Sequence, residues 1–208
     1  MPDLEEKKED LDNGKSFNRH EAVTFFWEVV KIVIISLAII VPIRYYIVQP
    51  FFVKGASMES TFDDGDYVLI DELAFRFRQP ERGEVIVFRA PKDQSQFYIK
   101  RIIGLPGEIV QIKDNKVMIF KDFKNFNDKK SKSFVLDESK YLDRGVQTAG
   151  DLKINIDSNE YFVLGDNREH SSDSRIWGMV NKSLITGRVF FRAWPFNKVT
   201  RFTPISYK

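Results

Sequence analysis

One apolar stretch decides how this chain can be laid out. Residues 22–48 form a 27-residue segment broken only by Glu28, Lys31 and Arg44, with an uncharged run of twelve from Ile32 to Ile43. Twelve residues fall short of the roughly 20 that a helix needs to cross hydrocarbon. Phe25-Phe26-Trp27 before the run and Tyr45-Tyr46-Ile47-Val48 after it supply that length, and put aromatic rings at both ends, where an interfacial belt places them. Glu28 and Lys31, three apart, pair on one helix face or snorkel toward headgroups. Pro42-Ile43-Arg44-Tyr45-Tyr46 offers no small-residue cleavage site, so a removable leader is not indicated. The remainder of the chain is β in texture and provides no helical bundle to bury such a helix. We therefore read residues 22–48 as a single transmembrane anchor, residues 1–21 as a polar tail, and residues 49–208 as a folded domain. Lys7, Lys8, Lys15 and Arg19 precede the span, against Arg44 and Lys54 after it. That bias puts the tail in the cytoplasm and the domain on the extracytoplasmic side of the cell membrane.

From Gln49 onward the expected elements are strands. Residues 67–70, 84–88, 97–103, 109–112, 116–120, 161–164 and 188–191 are short, β-branched and aromatic, and bounded by Gly, Pro, Asp or Asn. Asp114-Asn115 reads as a tight hairpin turn. Residues 121–159 change character: 121–133 read as a solvated loop or hairpin tip, and 136–142 as one helical turn. The expected class is mainly β.

Composition then removes whole chemistries. The chain has no cysteine, which excludes disulfides, thiol catalysis and thiolate metal sites, and its two histidines, His20 and His170, cannot make a multi-histidine centre. A formal net charge of +2 on 208 residues is too mild to argue for nucleic acid. No cofactor and no metal are expected.

Three stretches carry chemistry. Gly55-Ala56-Ser57-Met58 presents a hydroxyl on a small-residue turn, the access a nucleophile needs, although Gly-x-Ser-Met is also an ordinary turn. Lys100 lies in an apolar strand, on the same face as Tyr98 and Ile102 by alternation. A lysine there is costly unless paired or neutral, but an exposed lysine on an edge strand is the commoner case. Gly165-Asp166-Asn167-Arg168-Glu169-His170-Ser171-Ser172-Asp173-Ser174-Arg175 follows a strand and is dense in donors, acceptors and paired charge, beyond what a surface loop with Asx turns requires.

Together, in this order, these pieces resemble bacterial type I signal peptidase (leader peptidase), the membrane-anchored serine protease family with a Ser/Lys dyad. The residues that carry the resemblance are Gly55 through Met58, Gly65-Asp66, Arg82 through Phe88, Lys100-Arg101-Ile102-Ile103-Gly104-Leu105-Pro106-Gly107, Gly165 through Arg175, Gly187-Arg188, and Phe191 through Pro195. The resemblance implies an antiparallel β domain built around a small barrel, with an inserted lobe supplied by residues 121–159. It implies Ser57 as nucleophile and neutral Lys100 as general base. Ser171 would orient the lysine, Asp173 and Arg175 would brace the loop, and Met58 would wall the lysine pocket with Tyr98 and Ile102. The implied substrates are preprotein signal peptides with small residues at the −1 and −3 subsites, added as a strand beside Phe51-Phe52-Val53 and processed at the lipid bilayer. Trp177, Phe190, Phe191, Trp194 and Phe196 are divided between interface dipping and core packing.

This chain departs from the family pattern at Ser60, where proline is usual, at Phe62, where leucine is usual, and at Glu108, where aspartate is usual. Gly55 stands where some members carry a serine as a side-chain oxyanion donor, which leaves the Ser57 amide and one further group for that task. His170 is the rival base, since a Ser-His arrangement is chemically sound. The complete Lys100–Gly107 match favours lysine. Within proteases the other readings are a conjugative-pilus peptidase or a self-cleaving repressor, and residues 1–48 cannot form the repressor's DNA-binding domain. A catalytically dead binding module would have lost Ser57 or Lys100, and both are present.

Overall fold

The computed structural model describes residues 19–46, 48–121, 133–205 and 207. The chain divides into one unit ending at Arg44 and another starting at Tyr45. The first is a helix, α1 (Arg19–Tyr46). Phe25, Trp27, Ile32, Ile35 and Ile40 are each more than half exposed, so the helix has no polar side to turn to water. Its segment His20–Val41 is long and apolar enough to cross a membrane. The helix begins earlier than its sequence suggested, taking in Arg19, His20 and Glu21, with Thr24 Oγ1 donating to the His20 carbonyl at 2.8 Å. It stops at Tyr46. Residues 1–18 of the expected tail lie outside the described residues.

The second unit is mainly antiparallel β. Its larger sheet has eight strands, in the order β1 (Val48–Phe52), β2 (Tyr67–Asp71), β11 (Ile185–Trp194), β3 (Val85–Arg89), β4 (Phe97–Gly104), β9 (Glu160–Leu164) and β10 (Val180–Asn181), with β12 (Thr200–Arg201) paired to β11. The central strands are apolar on both faces because both faces are covered. On β3, Val85 and Val87 pack with Met58, Phe62, Val68 and Ile70, whereas Ile86 and Phe88 pack with Ile102, Tyr161 and Val163. Register shifts along β11 against both its neighbours bend that strand.

The smaller sheet draws strands from both sides of residue 121. It has four strands in the order β7 (Ser133–Val135), β6 (Lys116–Phe120), β5 (Ile109–Lys113) and β8 (Leu152–Asn155). Two of its strands, β5 and β6, precede the 121–159 segment. Period-two alternation predicts β5 and β6 as strands but is silent on their partners. Asp114 and Asn115 both take positive φ, 51° and 59°, as the expected two-residue hairpin turn demands. At the expected helical turn a single i→i+4 bond forms, from Leu142 N to the Glu138 carbonyl at 3.0 Å. The loop expected over 121–133 falls mostly outside the described residues. Ile103, Phe162 and Leu164 of the large sheet share a buried core with Val110, Ile112, Val117 and Ile119 of the small one.

Candidate active site

Strand β1 leads directly into the serine turn. Residues 53–66 form a loop closed at its base by Val53 N to Asp66 O and Gly65 N to Val53 O, each 2.9 Å. Gly55 has φ +87° and donates its amide to Asp64 Oδ1 at 2.6 Å, with no atom within 4 Å of where a Cβ would stand. The turn therefore has open space beside Gly55. Below it, Met58 and Phe62 are fully buried and fasten the loop to the core, with Phe62 against Phe202 at 4.6 Å between ring centres. Phe62 thus fills the place of the usual leucine with packed volume. Ser60 has φ +72°, a left-handed conformation that proline, fixed near −65°, cannot adopt, so the backbone here differs from the one a proline would set.

Strand β4 brings the lysine. Lys100 Nζ lies 2.6 Å from Ser57 Oγ and donates to the Ile99 carbonyl at 2.9 Å, with the Tyr98 ring 5.8 Å away. The side chain is buried at 4% exposure, and that burial lowers its pKa to about 8 against the opposing pull of the Asp173 and Asp166 carboxylates. The effect on the base is large. At pH 7 about a tenth of such amines are neutral, compared with roughly one in 2,500 at the reference pKa.

The third piece is the 165–175 loop after β9. Asn167 donates its backbone amide to the Ser57 carbonyl at 3.1 Å, so this loop grips the backbone of the serine turn. Asp173 caps the short helix Ser174–Trp177, accepts from the Gly165 amide at 3.1 Å, and receives Arg175 at 2.8 and 2.9 Å. Arg175 also reaches the Arg168 carbonyl at 2.7 Å. Gly165 has no room for a side chain, because a Cβ would collide with Ser171 Oγ and the Ser57 carbonyl oxygen.

Ser171 differs from its expectation. It is buried beside the site, but its Oγ has no hydrogen-bond partner among the described residues, so the bond expected to orient Lys100 is not made in this geometry. The lysine is instead directed by Ser57 and the Ile99 carbonyl. His170 is exposed, and among the described residues only its backbone amide is engaged, donating to Asn167 Oδ1 at 3.2 Å. The residue brought to the serine oxygen is Lys100.

Sequence reasoning missed the ion pair beneath the dyad. Arg101, next to Lys100 but on the opposite face of β4, donates to Asp166 at 2.8 and 2.6 Å and to the Gly83 carbonyl at 2.7 Å. Asp166 also accepts from Thr61 Oγ1 at 2.5 Å. Both members are almost wholly buried. An arginine in a strand of isoleucines is the signal that could have found the pair, because a buried guanidinium must have a partner.

A cleft of about 480 Å³ runs over Ser57 and Lys100, lined by β1 and the turn on one side, Phe97 to Lys100 on the other, and Val68 and Val87. A separate polar cavity of about 530 Å³ contains neither residue and is lined by Arg101, Arg188, Arg192 and Arg201. Among the described residues no group of acidic or histidine side chains could hold a metal. Trp177 packs on Phe88 and Tyr98, whereas Trp194 and Phe196 are exposed.

Comparison with known proteins gives the family of the chain. Residues 26–194 match the profile of the family described as signal peptidase, peptidase S26. The chain is similar to a probable signal peptidase I-2 of Synechocystis sp., 33% identical over 85% of this chain and 77% of that protein. It is equally similar to signal peptidase IB of Staphylococcus aureus, 33% identical over 79% of this chain and 90% of that protein. A solved signal peptidase I of Enterococcus faecalis is 28% identical, with a TM-score of 0.41, over 53% of this chain and 97% of that one.

Proposed function

The chain belongs to the signal peptidase S26 family, and from that premise we propose that it removes signal peptides from preproteins by acyl-enzyme chemistry, with Ser57 as nucleophile and Lys100 as general base. The observation that carries this reading is the 2.6 Å approach of a buried lysine nitrogen to the serine oxygen. Lys100, in its neutral form, takes the Ser57 proton as Oγ attacks the scissile carbonyl. The resulting ammonium returns that proton to the departing amine. A water then attacks the Ser57 ester, again with Lys100 accepting the proton, and the free serine is restored. The Ser57 amide has no hydrogen-bond partner among the described residues, which leaves it available to the oxyanion. Asp173 and Arg175 support the loop, Met58 the base of the turn, and Ser171 the space beside the amine.

Placement follows from α1, which anchors the chain in a membrane. In this reading the N-terminal tail is cytoplasmic and the β unit is extracytoplasmic, so the lipid bilayer delivers the signal peptide. Strand β1 ends the large sheet's pairing path, which leaves an edge for the substrate strand beside the cleft.

The test is cleavage of a preprotein in detergent by wild type, Ser57→Ala, Lys100→Met and His170→Ala. The first two substitutions are expected to lower kcat by about 10³-fold or more, and His170→Ala to leave it close to wild type. Retained cleavage in Lys100→Met, with loss in His170→Ala, would move the base to the histidine. Because the neutral amine is the active form, kcat/KM is expected to rise with pH and level off above about 8.

A further inference from the structure

The small sheet reaches the catalytic loop through one buried arginine. Arg168 sits in the middle of the 165–175 loop with a fully buried side chain. Its Nη1 bonds Glu138 Oε2 at 3.1 Å and also Thr148 Oγ1, its Nη2 bonds Glu138 Oε1 at 2.6 Å, and its Nε bonds the Gly165 carbonyl at 2.9 Å. Glu138 and Thr148 both come from the connection between β7 and β8, 30 and 20 residues away in the chain. The two-pronged fit of guanidinium to carboxylate fixes direction as well as distance. A carboxylate much nearer in sequence, Glu169, is exposed. The buried charge is thus met from the other sheet rather than from within its own loop.

The residues just before Arg168 hold the Ser57 turn and the residue next to Lys100. Asn167 holds the Ser57 carbonyl, Asp166 holds Arg101 and Thr61, and the Arg168 carbonyl receives Arg175. A shift of the Arg168 side chain therefore moves the backbone that supports the nucleophile. We propose that Glu138 and Thr148 are positioning residues for the peptidase reaction, holding the 165–175 loop against the Ser57 turn through Arg168. The inference rests on the Ser57–Lys100 reading and assigns the small sheet a part in catalysis without contact to the substrate.

The experiment compares preprotein cleavage by full-length wild type, Ser57→Ala, Glu138→Gln, Glu138→Asp and Thr148→Val in detergent. Gln keeps the shape and one acceptor of Glu138, and Val keeps the shape of Thr148 without its hydroxyl. Since a misplacement of about 1 Å costs up to about 100-fold, Glu138→Gln is expected to lose between about 10- and 100-fold in kcat with KM within about twofold of wild type. Thr148→Val should lose less, and Glu138→Asp should recover part of the loss. A slackened loop also admits water to the Lys100 amine, so the acid limb of the kcat/KM profile should move to higher pH. Unchanged kcat and an unchanged acid limb in the folded variants would overturn the proposal. So would a loss that only tracks the unfolded fraction followed by circular dichroism, because the contact would then be structural alone. Should Glu138→Gln fail to fold, Thr148→Val gives the same readout alone. Failure of the dyad reading is distinct: wild type would be inert, or Ser57→Ala active.

Discussion

The two loops that meet at the dyad are fastened by different forces. The Ser57 turn is tied down by apolar anchors, Met58 and Phe62, and by backbone bonds at its base. The 165–175 loop is tied down by buried ion pairs, Asp166 with Arg101, Arg168 with Glu138, and Asp173 with Arg175. Their sequences differ accordingly. The turn departs from the family pattern at Ser60 and Phe62, and the charged loop matches along its whole length. Apolar packing is non-directional and tolerates an exchange of shape within a similar volume. A buried charge tolerates no loss of its partner, because the uncompensated ion has no solvent to turn to.

The sharpest way to break this comparison is to remove one charge from the second loop. Asp166→Asn leaves Arg101 buried without a carboxylate, and is expected to lower stability by about 3–5 kcal/mol in urea unfolding. A loss below about 1 kcal/mol would show that the loop is not held by this charge. Lys100 tests the same principle with the opposite sign, because it is buried without a carboxylate in hydrogen-bond contact. Its pKa falls from 10.5 to about 8 on burial, so between those values the unfolded chain binds more protons and stability rises with pH. Below about pH 8 the penalty is present in full. Lys100→Met is therefore expected to stabilise the fold at pH 7 by an amount on the order of 3 kcal/mol, with the gain shrinking as pH approaches 10. Thermal unfolding at pH 7 and pH 10 measures it, and a pH-independent gain would contradict the charge argument. The smallest effect belongs to the apolar-anchored turn. Ser60, exposed and left-handed, should gain about 1 kcal/mol as Ser60→Gly, whereas Ser60→Pro should destabilise. An equal or better melting temperature for Ser60→Pro would mean that the turn readily takes up the usual family geometry.

Much of the catalytic half could be read in advance. Strands β2, β3, β4, β5, β6 and β9 lie within a residue or two of their apolar runs, since alternation and turn residues are local properties. Ser57 and Lys100 stood out through local motifs, one on a small-residue turn and one in an apolar strand. What escaped was long-range. Arg101 and Asp166 are 65 positions apart, and neither one's sequence surroundings name the other.

The sequence by itself determined an apolar N-terminal helix and a mainly β domain, and singled out the serine and lysine that meet in the fold, because each is written in a short span of side chains. Tertiary structure alone decided that β5 and β6 pair in a second sheet, and that Glu138, from the connection between β7 and β8, answers Arg168. It also decided that Ser60 turns left-handed and that the Ser171 hydroxyl packs against Gly165 without a hydrogen-bond partner among the described residues. The physical reason is common to all of these. Strand partners, buried ion pairs and the aim of a hydroxyl depend on what packing brings within a few ångströms, and that distance does not exist until the chain has closed on itself.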